Sequence, residues 1–262
     1  MLKFRRVILL IFLFIAYFFT ASFFELYFSL TNKAESFRQK RRAKHSTFYA
    51  KGIVKIIGFK VNIVGGEHLN KKGALFVSNH LSFWDIAILS SFNELSYITS
   101  VEVEKTLFLG WIAKLSGCQF IERRKKDFLN QEILSLADAL TQNQNVVLFP
   151  EGTTGNGSTL LPFKRSFFKA AVYAQKPIVS LCINYLKLDN VPVNSQNRDL
   201  LFYYGDHRFF NQLIAVLSIK ITNVEVVVFP PISSKQKEEN MHKHLCEESF
   251  RLIHNRFVPI EV

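Results

Sequence analysis

The chain has 262 residues and a mass of 30.3 kDa, with 48% hydrophobic and 21% charged residues. This composition excludes an intrinsically disordered chain, and the 11 glycines and 7 prolines exclude a collagen-like or low-complexity chain. The formal net charge of +12 favours anionic partners, such as a membrane surface, nucleic acid or phosphate-bearing ligands. The three cysteines lie far apart and predict neither a disulfide framework nor a paired-cysteine metal site.

An uncharged apolar segment lies near the N-terminus. Residues 7–24 carry no charge, and a helix of that length extends roughly 27 Å, close to the hydrocarbon thickness of a bilayer. Three interpretations compete: a single spanning helix, an in-plane or re-entrant anchor, and a cleaved signal peptide, which the length of the run and the missing A-x-A site disfavour. The larger basic cluster, at 33–44, follows the segment. The positive-inside rule therefore predicts that the main domain lies on the cytoplasmic side of the membrane, which in a bacterium would be the inner membrane.

The rest of the chain alternates apolar strand patterns with helical ones. We predict a membrane anchor at 1–30, a basic juxtamembrane linker with an amphipathic helix at 31–59, and one folded domain at 60–262, without a long structureless loop. Strands are predicted at 60–64, 74–78, 95–100, 119–121, 145–149, 177–185, 200–204 and 221–229. Helices are predicted at 46–59, 82–92, 105–115, 127–142, 167–174, 207–217 and 234–257. This alternation indicates a layered α/β domain with a mixed central sheet, preceded by a membrane-anchoring helix.

The first motif, Asn-His-Leu-Ser-Phe-Trp-Asp at 79–85, directly follows a buried strand and begins a helix. His80 and Asp85 would point about 140° apart on a regular helix. If His80 instead lies in the loop before the helix, its ring can turn back towards Asp85. A carboxylate on one ring nitrogen fixes the tautomer and leaves the other nitrogen as a base. The alternative is structural, since Ser82 and Asp85 also form a helix-capping pattern.

Two further motifs favour anion binding. Phe-Pro-Glu-Gly-Thr-Thr at 149–154 follows another buried strand, and its Pro and Gly residues predict a tight turn with free backbone N–H groups. Glu151, at the strand end, is placed to bind a hydroxyl group. The segment 117–126 runs from a strand into four consecutive cations, and arginine is well shaped to bind phosphate. A plain turn and a solvated charge run are the respective alternatives.

Taken together, in this order and spacing, the segments resemble the glycerolipid acyltransferase superfamily, which contains the bacterial 1-acyl-glycerol-3-phosphate acyltransferases and their lysolipid-acylating relatives. The family pattern NHxSxxD matches residues 79–85, and FPEGT matches 149–153. A glycine followed by a strand that ends in an acidic residue and arginine matches 117–123, and LPFK matches 161–164.

The resemblance implies a reaction and a set of site residues. His80 would be the general base that takes a proton from a lysolipid hydroxyl, and Asp85 would hold its imidazole. The acyl donor would be a thioester of coenzyme A or acyl carrier protein, without a covalent acyl-enzyme, a metal or another cofactor. The expected partners are a lysolipid acceptor, that acyl donor and an anionic membrane surface, and no nucleic acid. The expected substrate-binding residues are Asn79, Ser82, Arg123, Glu151, Gly152, Thr153 and Lys164.

One position departs from the family pattern. Thr154 stands where members that acylate 1-acylglycerol 3-phosphate usually carry arginine. We expect this acceptor, and hence phosphatidic acid as product, with Lys164 and Arg165 supplying the missing charge. The alternative acceptor is another lysophospholipid or a lyso-ornithine lipid. From another class, a membrane-anchored nucleic-acid-binding protein would explain the net charge, but no helix-turn-helix, RRM or zinc-finger pattern is found.

Overall fold

The computed structural model describes residues 1–106, 109–121, 126–235 and 239–261, without the side chains of 126–128. Eight strands in these ranges form one sheet. Across the sheet lie β1 (Phe59–Val64), β8 (Thr222–Val228), β6 (Ile178–Leu188), β2 (Leu75–Ser78), β5 (Val146–Leu148), β3 (Ser96–Ser100) and β4 (Gln119–Ile121), while β7 (Val191–Pro192) pairs with β6. The pairs of β6 with β7 and β8 are antiparallel and the other pairs are parallel. The predicted α/β fold with a mixed sheet is confirmed.

Helices cover both faces of this sheet. They are α1 (Leu2–Thr31), α2 (Glu35–Ile57), α3 (Trp84–Ser90), α4 (Val101–Glu104), α5 (Leu109–Leu115), α6 (Lys126–Thr141), α7 (Phe168–Ala174), α8 (Phe209–Val216) and α9 (Met241–His254). Successive strand side chains point to opposite faces. In β2, Phe76 therefore packs in the core beneath α1, α2, α3 and α8, whereas Leu75 and Val77 pack in a second core with α6, α7 and α9.

The start of α1 is fixed to the folded domain by a buried arginine. The Arg6 guanidinium donates hydrogen bonds to the carbonyls of Leu217 (3.4 Å), Lys220 (2.7 Å) and Ile219, just beyond the end of α8. The last carbonyls of a helix lack intrahelical donors. Arg6 supplies donors to the carbonyls of the segment that follows α8, and its positive charge lies near the negative end of that helix.

Further contacts follow along α1 to its other end. Tyr17 bonds Ser116 (2.9 Å) near the end of α5, and Arg42 of α2 pairs with both oxygens of Glu25 (2.7 and 2.8 Å). The opposite side of α1 exposes large apolar side chains, among them Phe4, Phe12, Ile15, Phe19 and Phe23. Leu2–Thr31 is long and apolar enough to cross a membrane, with 17% of its most apolar window buried. Such a helix fits membrane attachment.

The predicted linker at 31–45 is largely helical, because α2 begins at Glu35 instead of at residue 46. Its charged residues form pairs within the helix and with α1: Arg42 bonds Glu35 (2.9 Å) as well as Glu25. The many charged residues of this segment predicted a linker, but in the structure they form the polar surface of the amphipathic helix α2.

Three other predictions were wrong. Residues 200–204 form no strand; a 3₁₀ turn, Arg198–Leu200, precedes buried residues whose carbonyls accept side-chain hydrogen bonds from Ser82 and Gln212. The final helix begins at Met241, after Asn240 in the left-handed conformation (φ 72°), instead of at residue 234. Residues 149–167 contain neither helix nor strand, so a long loop does exist. Loops of that length in compact domains are commonly functional.

Arg6→Ala is expected to loosen α1 from the domain. The change removes several hydrogen bonds from a charged donor and leaves the carbonyls after α8 without that donor, a loss of about 2 kcal/mol. For a protein of this size we expect the melting temperature in detergent to fall by about 4–8 °C. Arg5→Ala is the matched control, because Arg5 is exposed, and its melting temperature should match the wild type. Equal melting temperatures for the two variants would contradict the anchoring role of Arg6.

Candidate active site

His80 lies in the loop between β2 and α3, and Asp85 lies in the first turn of α3. His80 Nδ1 is 2.8 Å from Asp85 Oδ2, so the proton of the neutral imidazole is assigned to Nδ1. Among the described residues none bonds Nε2, and the His80 ring forms part of a cavity wall. This arrangement leaves a basic ring nitrogen facing the cavity.

The Asp85 carboxylate is completely buried and accepts four hydrogen bonds. Oδ2 also accepts from the backbone N–H groups of Leu81 (2.8 Å) and Ser82 (3.0 Å), and Oδ1 accepts from the Tyr185 hydroxyl (2.5 Å). A buried charge is tolerated where donors replace its lost hydration. The carboxylate therefore binds the backbone of the loop before α3 and the His80 ring at the same time, although it forms no side-chain cap at Phe83, the N-cap of α3.

Asn79 and Ser82 hold the His80 loop from within the core. The Asn79 amide makes two hydrogen bonds with the backbone of Ile183 in β6, from Nδ2 (2.9 Å) and to Oδ1 (2.8 Å). Ser82 Oγ donates to the Leu201 carbonyl (2.7 Å). Both residues are fully buried, so their side chains support the loop in this structure, and direct contact with substrate stays a prediction.

Glu151 binds the same loop from the segment after β5. Its two carboxylate oxygens accept the backbone N–H groups of His80 (2.7 Å) and Leu161 (3.0 Å), while Gly155 N donates to the His80 carbonyl (2.8 Å). Burial raises the pKa of Glu151 to about 7, against the effect of these two donors, and the nearby charge of Asp85 raises it further. The predicted contact of Glu151 with a hydroxyl remains untested, and its observed partners are backbone groups.

An aromatic ring fixes the plane of the imidazole. Phe149 stacks on His80 with ring centroids 3.9 Å apart and an angle of 12°, and Tyr97 stacks behind Phe149 at 6.2 Å. The imidazole is thus held in its plane by Phe149 and at its edge by Asp85, which leaves little rotational freedom for the ring.

The cavity beside His80 has a volume of about 500 Å³, and its wall includes Phe83, Ile86, Gly152, Thr153 and Thr154. A neighbouring cavity of about 180 Å³ shares wall residues with it and reaches α1 and α2, where its lining is almost wholly apolar: Leu13, Phe14, Tyr17, Tyr49, Ala50 and Ile53. The larger cavity therefore has polar groups at His80, and the smaller one has an apolar wall formed by the N-terminal helices.

The remaining predicted residues have different outcomes. Lys164 lies beside the cavity, since a Cβ on Gly152 would be 2.6 Å from Lys164 Nζ. Arg123 lies outside the described residues. Sequence reasoning missed Tyr185 and the Phe149 stack: a tyrosine within an apolar strand gives no signal of a hydrogen bond to Asp85 100 residues away.

Comparison with known proteins gives the family. The Acyltransferase family model matches residues 60–184. The lyso-ornithine lipid O-acyltransferase of Rhizobium meliloti is 31% identical over 65% of this chain and 61% of its own length. The 1-acyl-sn-glycerol-3-phosphate acyltransferase of Neisseria gonorrhoeae is 32% identical over 75% of this chain and 74% of its own. The chain belongs to the glycerolipid acyltransferase family.

The fold of this acyltransferase family is also present in a solved structure. The crystal structure of the 1-acyl-sn-glycerophosphate acyltransferase PlsC from Thermotoga maritima superposes with a TM-score of 0.67 and 18% sequence identity. The alignment covers 98% of this chain and 96% of that one, so the N-terminal helices are part of the shared architecture. Family membership also disfavours the interpretation of the chain as a nucleic-acid-binding protein.

The protein is expected to lose stability through Glu151 as pH rises. The folded-state pKa of about 7 lies above the ordinary value of 4.5, so the folded protein binds more protons than the unfolded one between these values. The free energy of unfolding therefore decreases across that range. We expect the melting temperature of the wild type, relative to Glu151→Gln, to fall between pH 5 and pH 8. A difference that stays constant with pH would contradict the raised pKa.

Proposed function

We propose that this protein transfers a fatty acyl group from a thioester of coenzyme A or acyl carrier protein to the free hydroxyl of a lysolipid. The observation that carries the proposal is the His80 imidazole, held by Asp85 at Nδ1 and presenting Nε2 to the cavity. Family membership supports acyl transfer as the reaction class.

His80 Nε2 removes the proton from the acceptor hydroxyl as the oxygen attacks the thioester carbonyl. The tetrahedral intermediate then collapses, the carbon–sulfur bond breaks, and the departing thiolate receives the proton from His80. Asp85 stabilises the imidazolium between these steps. Burial raises the pKa of Cys118 and Cys182 to about 12, so these thiols are poor nucleophiles, which agrees with direct transfer.

The cavities supply room for the apolar parts of the substrates. The end against α1 and α2 is lined by apolar side chains, which suits an acyl chain whose thioester carbonyl lies at His80. Because Arg6 and Glu25, near the two ends of α1, both contact protein, we infer that this helix attaches in the plane of one membrane leaflet. We assign the cytoplasmic leaflet, because its anionic lipids attract the basic residues at 33–44 that follow this helix.

As acceptor we propose 1-acyl-sn-glycerol 3-phosphate, with phosphatidic acid as the product. Gly152, Thr153 and Thr154 form part of the cavity wall, and Lys164 Nζ lies beside Gly152. From this position the Lys164 ammonium can bind a phosphate. A lyso-ornithine lipid is the second candidate. Thr154 in the wall provides no charge for a phosphomonoester, and the Rhizobium meliloti relative is named for a lyso-ornithine lipid.

His80→Ala is expected to abolish acyl transfer with little change in the melting temperature. Loss of a general base lowers the rate by roughly 10²–10⁴-fold. The assay follows labelled acyl-CoA into lipid product with a panel of lysolipids. His68→Ala is the control, because His68 lies in the 3₁₀ turn Gly66–Leu69, away from the cavity, and should keep full activity. Near-native turnover by the His80 variant would refute the proposed function.

Thr154→Arg distinguishes the two acceptors. If the natural acceptor is 1-acylglycerol 3-phosphate, held by Lys164, the variant should change kcat/KM for it little, and Lys164→Ala should raise its KM. If the natural acceptor lacks a free phosphate, the wild type should prefer lyso-ornithine lipid and Thr154→Arg should shift preference towards the phosphomonoester. A wild-type preference of about tenfold for lyso-ornithine lipid would overturn the first choice.

A further inference from the structure

The Tyr185 hydroxyl donates a hydrogen bond to Oδ1 of Asp85, whereas His80 contacts the other carboxylate oxygen, Oδ2. Tyr185 Oη lies 2.5 Å from Oδ1, whereas His80 Nδ1 and two backbone N–H groups bind Oδ2. We propose that Tyr185 is a positioning residue for acyl transfer, which fixes the orientation and the charge of the Asp85 carboxylate and through it the imidazole of His80. This inference rests on the proposed function.

The Tyr185 hydroxyl is the one donor to Oδ1 among the residues that the structure describes. Asp85 is completely buried, so water cannot replace this donor. The torsion about the last bond of an aspartate is soft, and its two oxygens are chemically equivalent. Donors on both oxygens therefore fix which one faces His80, and a fourth donor stabilises the charged form of a carboxylate without solvent.

The position of Tyr185 is itself tightly determined. The first part of β6 pairs with β2 in parallel, whereas Tyr185 pairs with Val224 of the antiparallel β8, and the register with β8 shifts directly after Tyr185. Such irregularities bend a strand and redirect side chains near active sites. The ring packs against Phe59 and Phe202, with centroids 6.4 and 5.5 Å away. Strand pairing and these aromatic contacts thus fix the position of the hydroxyl beside Asp85.

Tyr185 keeps its proton under assay conditions. Burial and the neighbouring Asp85 raise the pKa of Tyr185 well above its ordinary value. The phenol therefore acts as a donor throughout the pH range in which the enzyme is assayed, and Asp85 accepts.

The test is Tyr185→Phe in the full chain. Phenylalanine preserves the packing against Phe59 and Phe202 and removes only the hydroxyl. We expect kcat to fall by about 10- to 100-fold, the effect of losing one hydrogen bond to a charged group, while KM for both substrates stays within about twofold. The acid limb of the kcat/KM profile should move to higher pH, because a carboxylate with one donor fewer attracts the His80 proton more strongly.

Tyr204→Phe is the matched control. Tyr204 also donates to a carboxylate, Asp199, at 2.5 Å, but it lies outside the cavity wall. This variant should keep wild-type kcat and pH profile. A Tyr185→Phe variant with wild-type kcat, or with reduced kcat, a lowered melting temperature and an unmoved acid limb, would overturn the proposal. If His80→Ala is inactive while Tyr185→Phe is normal, only this inference fails; if His80→Ala is active, the proposed function fails.

Discussion

Two positions of strand β6 hold both ends of the segment that carries His80. The backbone of Ile183 binds the Asn79 amide at the start of the segment, and the Tyr185 hydroxyl binds Asp85 at its end. The loop between these two points has no freedom to drift, because each contact is buried and each satisfies polar groups that would otherwise be unpaired. The orientation of the imidazole thus depends on the pairing of β6 with β2. A shift of that register by one residue would turn Tyr185 to the opposite face of the sheet.

The two buried carboxylates of the site differ in how they are compensated. Asp85 accepts four hydrogen bonds, and Glu151 accepts two from backbone groups. Burial raises the pKa of Glu151, its two backbone donors offset this only in part, and repulsion from Asp85 raises the pKa further. Asp85 binds the imidazole of His80, while Glu151 joins the loop after β5 to the loop after β2. The cavity edge is therefore formed by the carboxyl ends of two adjacent parallel strands, the usual location of sites in α/β sheets.

The sequence was most informative where contacts are local. Since Asp85 lies five positions after His80, the two can be in contact only if His80 lies in the loop before the helix, and the structure has that geometry. Tyr185 was not predictable, because its partner depends on which strand lies beside β2. Residues 200–204 have the composition of a strand, but their carbonyls bind side chains of Ser82 and Gln212, a choice made by tertiary packing. The basic residues of α2 were interpreted as a linker because Glu25, which pairs with Arg42, lies on another helix and could not be assigned from the sequence.

The fixed position of α1 has a consequence for how this protein is built. Leu13, Phe14 and Tyr17 of α1 are part of the wall of the inner cavity, and Arg6 holds the same helix to the end of α8. The hydrophobic helix is therefore a part of the folded structure as well as a candidate membrane anchor. It forms one wall of the cavity that adjoins the cavity beside His80, so the exposed apolar side of α1 and the side that lines this neighbouring cavity belong to a single helix.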